Sequence, residues 1–202
     1  MFKEERHDSI FSWNDLGDVE LGRPNLGQSV PVLVYRLFQY TLRDILITEY
    51  NVATASDLFI KAGQLAGEHF CRNLLNIDLE LNEFITELQQ TLKDLKIGIL
   101  RVEQLDPSNL DMTWTMAEDL DCSGLPFSEE TICDYDEGFI AGILKAYTGK
   151  DFFVKEVDCW TTDDRVCRFS VTVLQTDQNC MDEKMDETIE YCLSSVTEHP
   201  FF

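Results

Sequence analysis

The chain has 202 residues, enough for one domain of ordinary size with tails, and at 44% hydrophobic it has material for a sizeable core. Its 38 acidic against 16 basic residues give a formal net charge of −22. A field of that sign repels phosphate backbones and anionic membrane surfaces, which argues against direct nucleic-acid or membrane binding.

Residues 1–26 read as an N-terminal arm. The stretch is polar with scattered aromatics, Phe2, Phe11 and Trp13, and is punctuated by Gly22, Pro24 and Gly27. Those aromatics can pack on the domain or on a second copy; a frayed terminus is the plainer alternative. The stretch lacks the apolar core of a signal peptide, and no apolar run in the chain is long enough to span a bilayer.

The pattern predicts a first helix over 29–50, with Ser29 as N-cap and Pro31 in its first turn. Its apolar set, Leu33, Val34, Leu37, Phe38, Leu42 and Ile45 among others, exceeds the single stripe of a surface helix. Such a helix is either central or shared with a partner subunit, so a homodimer is expected. A second helix is predicted over 55–75, with residues 54–57 resembling a capping box with the shorter acid. Gly63 and Gly67 lie four apart on it, as do Gly138 and Gly142 further on. Interior helical glycine costs about 1 kcal/mol, so close packing or a cavity should compensate. His69, alone on this helix, reads more readily as a surface or core residue than as a ligand.

A third helix over 81–95 carries the stripe Phe84, Ile85, Leu88, Leu92 and Leu95. Residues 97–105 read as a strand and 107–109 as a turn. Residues 110–116 alternate sharply, with Leu110, Met112, Trp114 and Met116 on one face. That face is ordinary core, or the wall of a ligand pocket closed by the helices bearing Phe84 and the Gly63/Gly67 pair; methionine suits variable apolar partners. A loop over 121–128 holds Cys122, Gly124 and Pro126. A helix over 134–148 should stop at Gly149 in a left-handed cap. Strands over 152–160 and 165–174 flank the turn 161–164, with Phe153, Val157, Phe169, Val171 and Val173 as the apolar period-two positions. Residues 176–202 read as a C-terminal acidic amphipathic helix and tail, opened by a linker at 176–179 and carrying Met181, Met185, Ile189, Cys192, Leu193 and Val196 at helical spacing.

Seven cysteines, an odd number, point to a reducing cytoplasm and to metal rather than disulfides. Cys133, Cys159 and Cys167 fall in one helix–hairpin unit with Glu156, and three thiolates with one carboxylate make a plausible closed zinc shell. Glu156 and Cys159 are three apart, so a regular strand points them to opposite faces. A bulge or an early strand end at Val157 is required. Cys122 rivals Cys133 as a ligand. The alternative is a set of small buried apolar thiols.

Cys133, the runs 138–142 and 147–149, Lys155-Glu156-Val157-Asp158-Cys159 and residues 163–169 together resemble the 4-vinyl reductase domain, also called a hydrocarbon-binding domain. The layout is compatible over 27–175. Relatives carry a glycine in the last turn, which is absent here. The resemblance implies an α+β fold, an antiparallel sheet packed against several helices, as in haem-type nitric-oxide-sensing domains and TRAPP trafficking subunits. It implies structural zinc on Cys133, Glu156, Cys159 and Cys167, one by one. It also implies a sensor module for a small hydrophobic molecule, often dimeric.

Enzyme signatures are missing: no G-x-G-x-x-G, P-loop or H-E-x-x-H occurs, and a closed zinc shell lacks the open position that catalysis needs. The expected function is therefore a zinc-containing ligand sensor that signals through a separate protein, with Met112, Trp114 and Phe84 at the ligand. The alternatives are an accessory protein or enzyme of tetrapyrrole vinyl reduction, and a structural adaptor without ligand.

Overall fold

The strongest alternation in the sequence and its two glycine-bearing helices make the two halves of the architecture. The computed structural model describes residues 11–106 and 108–174. Residues 1–10, Pro107 and the tail beyond 174, with the helix expected there, lie outside the described residues. A 3-10 turn, Trp13–Leu16, and a one-turn helix α1, Val19–Gly22, precede α2 (Val32–Glu49), α3 (Val52–Leu74), α4 (Leu81–Asp94) and α5 (Asp134–Thr148). Strands β1 (Ile99–Asp106), β2 (Asp111–Ala117), β3 (Phe152–Asp158) and β4 (Cys167–Val173) form an antiparallel sheet of order β1-β2-β4-β3. The α+β class read from the sequence is the one observed.

Two helix starts differ from expectation. α2 begins after Pro31, whose extended backbone makes it the N-cap without a side-chain bond, so Ser29 caps nothing. α3 begins after Asn51, whose side chain accepts from Thr54 N at 2.8 Å, and the expected box at 54–57 lies inside the helix. Asn51 is as good an acceptor as the residues chosen, and it comes first. α5 ends as its sequence indicates, at Gly149 with φ 74°.

Both glycine pairs are used for contact. A Cβ on Gly63 would meet the Tyr135 carbonyl, and one on Gly67 the Phe139 carbonyl. Reciprocally, a Cβ on Gly138 would meet the Ile60 carbonyl and one on Gly142 the Gln64 carbonyl. The backbones of α3 and α5 thus touch along two turns. These glycines do not leave space for a ligand; they remove it.

The inner sheet face carries Met112, Trp114, Met116, Phe152, Val154, Phe169 and Val171, all buried with Leu88 and Leu92 of α4 and Ile140, Ile143 and Leu144 of α5. Phe84 stacks on Tyr147 with ring centroids 3.8 Å apart. On β3 the inward set is Phe152, Val154 and Glu156, while Phe153, 54% exposed, and Val157 face outward. The reading of Phe153 and Val157 as the core positions is corrected: Phe152, Phe153 and Val154 are all apolar, so alternation does not choose a face there, and at the far end the inward position is taken by the Glu156 carboxyl rather than by Val157. The register between β3 and β4 shifts between Glu156 and Asp158. That bulge is the irregularity the Glu156–Cys159 spacing demanded.

α2 is inverted relative to an ordinary surface helix. Its polar side chains turn toward the body and Gln39 is its only buried residue, whereas Leu33, Leu37, Phe38 and Ile45 are exposed.

Candidate functional site: a four-cysteine centre beside an apolar cavity

Cys133 is the N-cap of α5, where the first helical N–H groups and the helix dipole favour negative charge. Cys159 follows the bulge and opens the 3-10 turn Trp160–Thr162; its Sγ accepts from Thr161 Oγ1 at 3.1 Å and its N–H reaches Thr162 Oγ1 at 3.0 Å. Asp163 (φ 77°) and Arg165 (φ 57°) take left-handed conformations in this turn, a role better suited to glycine. Cys167 starts β4, opposite Met116 of β2.

The fourth member is Cys122. The Sγ atoms of Cys122, Cys133, Cys159 and Cys167 all lie within 4.8 Å of one another and all four residues are buried. Cys133 Sγ stands 3.9 Å from Cys159 Sγ and 3.8 Å from Cys167 Sγ; Cys122 and Cys167 are 3.0 Å apart, and all are free thiols. A tetrahedron with zinc–sulfur bonds of about 2.3 Å has edges of about 3.8 Å, so the donor set and the two Cys133 distances fit such an ion, while Cys122 and Cys167 stand closer than such an edge. The Cys122, Cys133 and Cys167 thiols drive the Cys159 thiol far below its usual range, while the same crowding pushes Cys133 and Cys167 up.

Glu156 stands outside this four-sulfur group. Its Oε2 accepts from Cys133 N at 3.0 Å, and its Oε1 has no partner among the described residues. Behind it, Glu137 Oε1 accepts from Glu156 N at 2.9 Å and from Lys155 Nζ at 2.7 Å. Burial, followed by the Cys159 charge, pushes the Glu156 carboxyl up.

The loop bearing Cys122 is built by acids and by α2. Asp119 Oδ1 accepts from Asp121 N and Cys122 N at 2.7 and 3.1 Å. Asp121 accepts from Tyr35 Oη (2.7 Å) and Gln39 Nε2 (2.6 Å), and Arg36 donates to the Leu120 and Ser123 carbonyls (2.8 and 2.9 Å). Sequence reasoning weighed the apolar residues of this helix and missed its polar stripe, Tyr35, Arg36, Gln39, Tyr40 and Arg43, which recurs at helical spacing. That stripe was the available signal that the Cys122 loop is pinned.

A cavity of about 570 Å³ adjoins this loop. The arm covers it with Phe11, Trp13 and Leu16, α3 lines it with Ala62, Ala66 and Phe70, and α5 with Tyr135 and Phe139. His69, also in its wall, meets the Phe11 ring edge-on at 5.0 Å. Asp121 and Asp136 form its acidic end. Asp136 is 6% exposed; burial first, then Asp119 and Asp121, hold its carboxyl well above the usual range. Met112, Trp114 and Phe84 do not line this cavity; all three are packed in the core. The expected pocket position is corrected accordingly. Alternation identifies the inward sheet face, but α4 and α5 fill the space above it.

Residues 112–173 match the family model of the 4-vinyl reductase domain. Over this segment the chain is similar to the family that its cysteine and glycine motifs resemble. All four cysteines fall inside the matched segment, so it contains the whole sulfur centre. Three curated relatives from Methanocaldococcus jannaschii, all uncharacterized proteins, are 24–31% identical over 45–53% of this chain, which spans about half the length of those relatives. Among solved structures, a vinyl-4-reductase family protein from Methanocaldococcus jannaschii is 19% identical with a TM-score of 0.55, covering 83% of this chain and 100% of its own. The phenol-responsive sensory domain of the transcription activator PoxR, solved with phenol, is 13% identical with a TM-score of 0.58 over 79% of this chain and 82% of that one. Subunit 3 of a trafficking protein particle complex from Naegleria fowleri, covalently bound to palmitic acid, is 13% identical with a TM-score of 0.57 over 71% and 95%. These likenesses establish the shared fold. No helix among the described residues is long and apolar enough to cross a membrane.

Proposed function

We propose that this chain is a binding module that senses a small hydrophobic molecule and signals through a separate protein. The observation that carries this reading is the cavity of about 570 Å³ with aromatic and alanine walls beneath the N-terminal arm. Its size falls in the range of small-molecule sites. Two proteins of this fold, the PoxR sensory domain and the trafficking subunit, hold phenol and palmitic acid, which supports an apolar ligand here. The arm, not the sheet, then contacts the ligand through Phe11, Trp13 and Leu16, and a partner protein reads the arm.

Zinc has a structural part in this reading. Cys122, Cys133, Cys159 and Cys167 hold it, and Glu156 orients Cys133 through its backbone N–H. All four protein positions are filled, so the ion ties the Cys122 loop, the α5 N-terminus and the hairpin together without an open site. Free buried cysteines fit a reducing, cytoplasmic setting. The exposed apolar face of α2 meets its counterpart in a second copy of the chain, giving a homodimer.

The test is a titration of the purified protein with small aromatic and alkyl compounds, followed by tryptophan fluorescence and melting temperature. Binding should shift both, and a Trp13→Phe variant should lose most of the fluorescence change while keeping the thermal shift. An Ala66→Trp variant, which fills the cavity from α3, should abolish both. Compounds that bind equally well to Ala66→Trp would place the ligand elsewhere and end the reading.

A further inference from the structure

Burying a carboxylate without a partner is costly, so an unpartnered one in a ligand cavity states what the ligand must bring. Asp136 Oδ2 is buried and has no hydrogen-bond partner among the described residues, and Asp136 lines the cavity. Its neighbour Asp121 differs: Tyr35 and Gln39 already occupy both of its oxygens. Asp119, a third buried acid, lies beside Asp136, with one oxygen of each and Cys133 Sγ mutually within 4.8 Å. The cations that α2 presents to this region are committed elsewhere. Arg36 donates to the Leu120 and Ser123 carbonyls, and Arg43 pairs with Asp134 at 2.5 Å. One end of a mainly apolar cavity therefore holds clustered carboxyls, and no lysine or arginine lines that cavity among the described residues.

We propose that the ligand of this cavity is an amphipathic amine, an aromatic or alkyl body carrying a protonated amino group that seats on Asp136. The proposal rests on the reading of the cavity as a small-molecule site and adds the head group. The body lies against Phe70, Phe139 and Trp13, where apolar burial supplies affinity for any compound of that shape. The ammonium supplies donors to Asp136 Oδ2 and places a positive charge beside the clustered carboxyls of Asp136, Asp121 and Asp119. A hydroxyl of the same size supplies one donor and no charge. Charge-assisted bonds are about twice as strong as neutral ones, which makes the amine preferred by about tenfold or more. The net charge of −22 acts in the same direction on encounter.

The experiment is calorimetric titration of the full chain at neutral pH with 2-phenylethylamine, 2-phenylethanol and propylbenzene. The first two differ only in the head group, and the third has none. The amine should bind about tenfold or more tightly than the alcohol, and Asp136→Asn should narrow that ratio to about threefold or less. Metal content is measured in parallel, so that a disturbed sulfur centre is not mistaken for a lost ammonium site. In the parent protein, an alcohol or propylbenzene that binds as tightly as the amine overturns the proposal while leaving the cavity reading intact. If none of the three binds, both readings fail together. The comparison in the parent protein decides the head group without relying on the variant.

Discussion

At the residue scale, Glu156 and Cys122 exchange the parts that spacing suggested. The Glu156 position in the hairpin matches a ligand position of the resembled family, yet its carboxylate is engaged with Cys133 N, and a sulfur from the Cys122 loop completes the cluster. The two assignments predict opposite outcomes. Cys122→Ser should lower zinc content and melting temperature together, because a structural ion contributes to folding directly. Glu156→Gln should keep zinc near one per chain and lose about 1–3 kcal/mol, the cost of weakening a buried hydrogen bond to Cys133 N. Metal analysis and denaturant melts on both variants measure this; full zinc in Cys122→Ser with depleted zinc in Glu156→Gln would restore the carboxylate as ligand.

At the element scale, the α3–α5 crossing is the most constrained contact in the fold. Each of four glycines sits against a backbone carbonyl of the other helix, and backbone cannot rotate away as a side chain can. A Gly63→Ala or Gly138→Ala change must push the helices apart and should destabilise by about 3 kcal/mol or more, at the upper end of overpacking costs. That lowers the melting temperature by about 6–12 °C for a chain of this length. Gly22→Ala is the control, since an added Cβ there meets nothing within 4 Å, and it should stay within about 0.5 kcal/mol. Equal stability of Gly138→Ala and Gly22→Ala would mean that the helices do not touch as described.

At the scale of the whole molecule, α2 joins the loop of the sulfur centre to an exposed apolar face. Its polar stripe holds the Cys122 loop, and its opposite face presents Leu33 and Phe38, 75% and 68% exposed, in a row with Leu37 and Ile45. A contiguous apolar face of this kind marks an interface. Light scattering near physiological ionic strength, where the strong negative charge is screened, should give the dimer mass. Leu37→Glu or Phe38→Glu should give the monomer mass with little change in zinc content, since neither residue touches the sulfur centre. A monomer mass for the parent chain would refute the dimer and leave α2 to another partner.

Local signals in the sequence were enough for the α+β class, the helix–hairpin unit, the cap at Gly149, the bulge after Glu156 and three of the four sulfurs. Each depends on residues close in the chain, where period, cap chemistry and hairpin spacing act over a few positions. The rest was decided by packing between distant segments. Met112 and Trp114 read first as core, with a pocket wall as the alternative, and α4 and α5 cover them. The glycine pairs allowed either a gap or a contact until α3 met α5 along both. Cys122 sits 45 residues from Cys167, and nothing local says that α2 and Asp119 hold its loop against the hairpin. The cavity lies under an arm whose own sequence is polar with scattered aromatics. Its acidic end exists because the fold brings Asp121 and Asp136 together from different segments, and only the tertiary packing buries Asp136 Oδ2 without a hydrogen-bond partner.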